Sequence, residues 1–552
     1  AHSLHRPRPQ GRRRVAPAIG LEAGAIRGLA RAFAAADGAV AYGRMGVSVQ
    51  AFGGLCQWLV NLLNLVTGNL DRPGGAMFPN PAVDMLQLMG PGSHARYGSD
   101  VRNLPEFSGE LPVSSMAEDM LAGGDAAARG LGVTDSPRHR GSRYHAFVDL
   151  VQRQLAQVYA EDDLRTEGLR IFTTLSPSEQ EKAQRAVSRG LDDLAQRGLS
   201  ETLQGALVVA DIASGEVRAL VGDRDPARRG FNRAIHARRQ VGSVIKPLVY
   251  LLALEHSDDY NLLTRIEDEP VTLRQPDGST WSPANYDGRS HGTVTLLEAL
   301  TRSYNQATVR LGLNIGVSHL VNRLAQLGVS VDVDAVPSAF LGAVELTPLE
   351  VTQIYQSIAG SGFSVPLRSV IAVETAEGEE LMRYPLRLMP QPRREAISVL
   401  NYALTRVVED GTARALPGLL GKQVTVAGKT GTTNDRRDSW FVGYTRNRVA
   451  VAWVGEDDFS PAGVTGSNAA MRIWANLFRT LPIESVDLRV PDGAFYLWVD
   501  AASGRLSAEN CPGAVQIPYV DGSEPRDMTA CGATALDRDK ESLWKKWFGK
   551  DD

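Results

Sequence analysis

The sequence has few cysteines, few aromatic side chains and no excess of one charge. Three cysteines, Cys56, Cys511 and Cys531, are too few for a disulfide scaffold, and none stands in the CxxC spacing of a zinc or redox site. The nine histidines include no HExxH and no tight His/Asp cluster, so neither a metal nor a cofactor is expected. A formal net charge of -4 provides no overall field to attract nucleic acid or an acidic membrane surface. Long apolar runs are also missing. A spanning helix needs about 20 mostly apolar residues, whereas the best stretch, Leu55 to Val66, is short and carries Gln57, Asn61 and Asn64. It reads as a packed amphipathic helix. Residues 1–14 hold Arg6, Arg8, Arg12, Arg13 and Arg14 with no apolar stretch behind them, which predicts a solvated basic tail and no signal peptide.

What is present describes a folded protein. The 552 residues are 43% hydrophobic and 22% charged, with 54 Gly and 29 Pro spread along the chain. That excludes a disordered or collagen-like chain and gives length for roughly three or four domains. Residues 15–122 are rich in Ala, Gly and Met, and predict helices over Gly24–Ala36 and Val49–Thr67. Residues 123–142 have linker composition. A large domain is expected over residues 143–485, and a small β appendage with an amphipathic tail over 486–552.

Within the large domain, Gly205–Asp211 and Glu216–Gly222 are apolar, β-branched runs joined by Ala213-Ser214-Gly215, a hairpin signal. Further strands are expected over Gln423–Ala427, Ser439–Tyr444 and Val449–Gly455. Between them, helices are expected over Val244–Glu255, Leu296–Gly312 and Leu349–Ala359. Strands at both ends with helices between predict an α+β fold, an antiparallel sheet covered by a helical insertion. In the appendage, Phe495–Val499 and Gly504–Ser507 flank a Ser-Gly turn. Cys511 and Cys531 can pair in an oxidising compartment, leaving Cys56 over.

Three short motifs carry chemistry. Ser243-Val244-Ile245-Lys246 places a hydroxyl and an amine at i and i+3, on one face of a helix. A lysine so placed can take the serine proton if burial and a second cation lower its own proton affinity. The same spacing recurs at Ser542–Lys545 in a charged tail, so the pattern alone decides nothing. Its company does: Ser303-Tyr304-Asn305 is the only Ser-x-Asn, and Lys429-Thr430-Gly431 the only Lys-Thr-Gly. A phosphate-binding P-loop ending at Lys429 is excluded, because position 423 is Gln423 where that loop needs glycine. On an edge strand, Lys429 supplies positive charge for a carboxylate, Thr430 and Thr432 supply hydroxyls, and Gly431 allows a substrate backbone to come close.

The order SxxK, SxN, KTG resembles that of penicillin-binding proteins and serine β-lactamases. Arg239–Pro247, Trp281–Gly288 and Ala427–Asn434 narrow the resemblance to the transpeptidase domain of class A, type 1b penicillin-binding proteins, over residues 140–552. The resemblance implies a three-layer transpeptidase fold at the periplasmic face of the inner membrane, acting on peptidoglycan stem peptides and bound by β-lactams. It places the nucleophile on Ser243, the base on Lys246, a proton relay on Ser303 and a substrate-holding amide on Asn305. Lys429, Thr430, Gly431 and Thr432 complete the site, with the backbone N–H groups of Ser243 and Thr432 as oxyanion hole. Class A members carry a membrane helix and a glycosyltransferase domain ahead of this segment; neither is recognised in this sequence. Instead Tyr42–Gly46 and Leu65–Gly75 resemble an internal piece of molybdopterin oxidoreductases without its cluster-binding cysteines, and no redox chemistry is expected from it. The competing readings are a D,D-carboxypeptidase or β-lactamase, a molybdopterin-binding module, and a non-functional fusion. No Glu-bearing deacylation loop is recognised.

Overall fold

Alternating apolar residues at both ends of the large domain meet in a single sheet. The computed structural model describes residues 23–36, 39–41, 53–69, 94–98, 105–107, 144–160, 163–164, 167–274, 278–331, 336–384, 388–389, 392–421 and 423–535. The expected basic tail (1–14), the linker (123–142) and the Ser542–Lys545 repeat lie outside these residues. The chain divides into two compact units, Ala1–His139 and Arg140–Asp552.

The first unit contains helices α1 (Ala23–Ala35) and α2 (Gly53–Val66) and a two-stranded ribbon, β1 (His94–Gly98) with β2 (Pro105–Phe107). Helix α2 corrects the expected packed amphipathic helix. Leu55, Trp58, Leu59 and Leu63 are exposed, whereas Asn64 is buried. The reason is hydrogen bonding: the Asn64 amide accepts from Ala41 N and donates to Ala41 O, both at 2.8 Å, which gives both its oxygen and its nitrogen a partner. Among the described residues, no helix is long and apolar enough to cross a membrane.

The second unit opens with α3 (His145–Leu155), β3 (Arg170–Thr173) and α4 (Pro177–Gln196), followed by the hairpin β4 (Gln204–Asp211) and β5 (Val217–Val221). A short strand β6 (Arg239–Gln240) leads through a 3₁₀ turn, Gly242–Ile245, into α5 (Lys246–Glu255). Then come β7 (Arg265–Asp268), β8 (Gly292–Thr295), α6 (Leu296–Arg302), α7 (Asn305–Ile315), β9 (Glu345–Leu346) and α8 (Pro348–Ala359). Strands β10 (Val370–Glu374) and β11 (Glu380–Arg383) join β3 in a small sheet, and α9 (Arg394–Glu409) follows. The late strands β12 (Ala427–Thr432), β13 (Asp438–Tyr444) and β14 (Arg448–Gly455) precede α10 (Ala470–Phe478), and β15 (Ala494–Asp500) pairs with β16 (Ala514–Val520).

The main sheet is antiparallel, in the order β12-β13-β14-β4-β5, so β12 is an edge strand. Helices cover both faces, and the two-residue period of β13 assigns each face its contacts. Phe441 meets Trp474 of α10 edge-on, with ring centroids 5.4 Å apart. A Cβ at Gly443 would lie 2.7 Å from the Trp474 ring, so only glycine lets the helix approach there. On the other pleat, Tyr444 Oη donates to Asn401 Oδ1 of α9 at 2.7 Å, and Trp440 Nε1 donates to Gln240 O at 2.9 Å. These contacts give the three-layer α+β fold expected from the sequence, with α5 to α7 forming a helical lobe beside β12.

Three element assignments are corrected. Strand β12 begins at Ala427, so residues 423–426 are not strand and the KTG motif lies inside the ladder. The helix expected over Leu296–Gly312 is two helices, because Ser303 takes a left-handed conformation with φ 64° and ends α6. The Ser-Gly turn at Ser503-Gly504 is present, but the stretch beyond it forms isolated bridges in place of a strand, Leu506 with Val499 and with Met528. The strand partner of Ala494–Asp500 is Ala514–Val520, where the disulfide Cys511–Cys531 anchors the chain.

Candidate active site

Ser243 lies in the 3₁₀ turn and Lys246 is the first residue of α5, so the serine stands one turn ahead of the helix that buries the lysine. The turn has a second fixed side. Gly242 has φ +54°, and a Cβ on it would lie 2.7 Å from Thr432 O. The serine turn is therefore pressed against the end of β12. Gly431 contributes to the same approach, since a Cβ there would lie 2.9 Å from both Val241 O and Val244 Cγ1. The close approach that Gly431 permits is thus to the protein's own serine turn, where the sequence led us to expect a substrate backbone. Ser243 is half-buried, and among the described residues no hydrogen bond engages its hydroxyl.

Lys246 is fully buried. Its Nζ lies 2.7 Å from Ser303 O, 3.1 Å from Tyr304 O and 2.7 Å from Asn305 Oδ1, three acceptors that the ammonium form fills at once and of which the neutral amine fills two, keeping its lone pair. The break at Ser303 makes this possible: only by leaving the helix can two successive carbonyls turn toward one amine. Burial holds the Lys246 amine well below its ordinary proton affinity; the charge of Lys429 adds to the effect and that of Asp268 opposes it.

Lys429, also fully buried, donates from Nζ to Ser303 Oγ at 2.9 Å and to Thr430 O at 3.0 Å. Burial lowers its pKa to about 7. Thr430 and Thr432 lie on the opposite pleat from Lys429. The Thr430 hydroxyl pairs with Thr412 Oγ1 at 2.6 Å, and Thr432 Oγ1 accepts from Gly466 N at 3.0 Å. A ligand reaching either hydroxyl shares it with these partners.

All three motifs therefore meet. The SxN segment sits between the two lysines, with Ser303 Oγ on Lys429 and Asn305 Oδ1 on Lys246. Sequence reasoning missed Thr412, Gly466 and Asp268. Of these, Asp268 had a discoverable partner, because Asn285 lies in the Trp281–Gly288 stretch already singled out. Among the described residues, no group of His, Cys, Asp and Glu is arranged to hold a metal ion.

The serine turn, the SxN break and the KTG edge strand come together where β12 meets the helical lobe. Residues 205–477 match the penicillin binding protein transpeptidase domain, and this part of the chain belongs to that family. Within it the likeness is to the class A, 1B type. Penicillin-binding protein 1B of Vibrio cholerae is 37% identical over 385 residues, covering 69% of this chain and 49% of that protein. The chain thus spans about half the length of the curated relatives it matches. Penicillin-Binding Protein 1A from Haemophilus influenzae has the same fold, with a TM-score of 0.63 at 20% identity over 70% of this chain and 77% of that one. PonA1 from Mycobacterium tuberculosis, solved in complex with penicillin V, is 26% identical with a TM-score of 0.53, over 62% of this chain and 94% of that one.

Proposed function

We propose that this chain is a peptidoglycan D,D-transpeptidase working through a serine acyl-enzyme. The observation that carries the reading is the pair of bonds from two buried lysines to a single SxN segment, Lys246 to Asn305 Oδ1 and Lys429 to Ser303 Oγ. Ser243 Oγ attacks the carbonyl carbon of the D-Ala-D-Ala bond while its proton passes to neutral Lys246. The carbonyl electrons move onto oxygen, toward the N–H groups of Ser243 and Thr432. As the C–N bond breaks, Ser303 relays a proton to the leaving amine of D-Ala. An amine of a second stem peptide then attacks the ester, forms the cross-link and returns the proton to Ser243. Lys429 supplies positive charge for the substrate carboxylate, Thr430 and Thr432 offer hydroxyls from the other pleat of β12, and Asn305 holds the peptide. Family likeness and the Cys511–Cys531 bridge both support a periplasmic place of work.

The test is covalent labelling by a β-lactam, mapped by mass spectrometry. Label is expected on Ser243 and absent from Ser243→Ala, whose fold is retained. Label persisting in the variant, or mapping to Ser542, overturns the assignment. Product analysis with a stem peptide and an added amine separates transpeptidation from hydrolysis, in which water takes the acyl group.

A further inference from the structure

Behind the SxN segment lies a buried carboxylate with no place in the acyl-transfer steps above. Asp268, the last residue of β7, is 0% exposed. Its Oδ1 accepts from Ala307 N at 3.0 Å; its Oδ2 accepts from Asn285 Nδ2 at 2.6 Å and pairs with His291 Nδ1 at 2.7 Å. Asn285 is buried as well. Its Oδ1 accepts from Asn305 N at 2.6 Å and Gln306 N at 3.3 Å, and its Nδ2 also donates to Arg289 O at 2.8 Å.

These bonds solve a particular problem of α7. Its preceding residue, Tyr304, gives it no side-chain cap, and an uncapped helix start leaves backbone N–H groups unpaired. Asn285 and Asp268 together take the N–H groups of Asn305, Gln306 and Ala307, and a carboxylate is the favourable group at that end of the helix dipole. Asn305 is the first residue of this helix. Its amide is fixed on both sides, with Nδ2 donating to Ala284 O at 2.6 Å and Oδ1 accepting from Lys246. Fixing the start of α7 therefore fixes which atom Lys246 meets.

We infer that Asp268 is a positioning residue for acyl transfer: acting through Asn285, it holds the start of α7 and with it the Asn305 amide on Lys246. The inference rests on the transpeptidase reading for its rate measurements and on geometry for the rest. The charged and titratable groups around this line are few. Lys246 faces Lys429 from β12 and Asp268 from β7, with Tyr250 one turn along α5. Asp268 faces His291, whose Nε2 lies 3.0 Å from Asp287 Oδ2 and whose ring stacks on Tyr304 at 4.0 Å. Burial lowers the proton affinity of His291, but the two carboxylates outweigh it and the net shift is upward.

The sign follows directly. A facing carboxylate favours protonated Lys246, so removing that charge makes the lysine neutral at lower pH. In Asp268→Asn, the acidic limb of β-lactam acylation is expected to move to lower pH by on the order of one unit, with a lower plateau because Asn305 is less well held. Asn285→Ala keeps the charge and loses the link, so its plateau falls about tenfold with the limb unmoved. This second variant decides the matter if the first does not fold. A folded Asp268→Asn with an unmoved limb, or Asn285→Ala acylated at the full rate, overturns the inference. If the parent protein itself is not acylated at Ser243, the proposed function falls; NMR titration of ¹³C-labelled lysine in parent and Asp268→Asn then decides the inference alone, with an unchanged Lys246 titration overturning it.

Discussion

Lys429 Nζ lies 2.9 Å from Ser303 Oγ, a contact that joins the edge strand of the sheet to the helical lobe at the one residue of that lobe's helix break with a left-handed backbone. A buried cation beside Lys246 also disfavours a second positive charge there. The charge of Lys429 thus bears on Lys246, and under the proposed function the cation that receives the substrate carboxylate also favours a neutral base.

Lys429→Met tests that coupling. Without the facing cation, Lys246 retains its proton to higher pH, so the acidic limb of acylation moves upward, opposite in sign to the Asp268→Asn displacement. Loss of the Ser303 contact lowers the rate by about a hundredfold or more. The measurement is the second-order acylation rate against pH. A limb that stays in place shows that Lys429 serves only to receive substrate.

Much of this site was legible in the sequence because its chemistry comes from three ordered motifs, and residue type there dictates role. Ser243, Lys246, Ser303, Asn305 and Lys429 lie together as that order implied. The supporting shell was not legible. Ser303 carries a positive φ without being glycine, so helical periodicity ran straight through it to Gly312. Asp268 is one acid in the stretch Arg265-Ile266-Glu267-Asp268-Glu269, and nothing local distinguishes it from its exposed neighbours. Its burial follows from partners 17 and 23 residues away in Asn285 and His291. In the appendage, the Ser-Gly turn promised a local hairpin, but the strand pairing that formed spans the disulfide-anchored loop.

A stability prediction follows from the strand that feeds the serine turn. Arg239 is 4% exposed, lies 3.8 Å from Asp438 Oδ1, and stacks on Trp453 and Phe459 at 5.1 and 3.8 Å. Arg239→Met strands Asp438 as a buried charge and is expected to cost about 3–5 kcal/mol. Burial already raises the proton affinity of Asp438, with Trp453 and Arg239 opposing. A carboxyl whose folded pKa is raised binds its proton more tightly when folded, so stability is lost as pH rises through that pKa. The defect should therefore shrink at acid pH and in Arg239→Met/Asp438→Asn. Denaturant melts at several pH values check this, and a pH-independent deficit would assign the loss to packing.

The disulfide makes a separate prediction about the appendage. Cys511 and Cys531 are bridged across a sequence separation of 20, a loop whose closure contributes about 3 kcal/mol. Cys511→Ser/Cys531→Ser should loosen β15–β16, seen as faster amide exchange at Phe495–Val499, while β-lactam acylation stays unchanged, because no site residue comes from the appendage. Free thiols at both positions in oxidised protein would contradict the bridge.

The last prediction concerns the first unit. Every residue of the candidate site lies between Val241 and Gly466, within Arg140–Asp552. The apolar side chains of α2, among them Leu55, Trp58 and Leu59, remain exposed, so this helix gains little of the burial that offsets conformational entropy. We expect a chain begun at residue 140 to be acylated by a β-lactam at the same rate as the full chain, and to carry the same label on Ser243. Limited proteolysis of the full chain should cut first within residues 123–142, where the composition is that of a linker, and the trimmed product should keep its acylation rate. A junction that resists protease, or a tenfold slower acylation after trimming, would show that the first unit is part of the working enzyme. Bound pterin fluorescence from the purified full chain would in turn revive the molybdopterin-binding reading of residues 15–122.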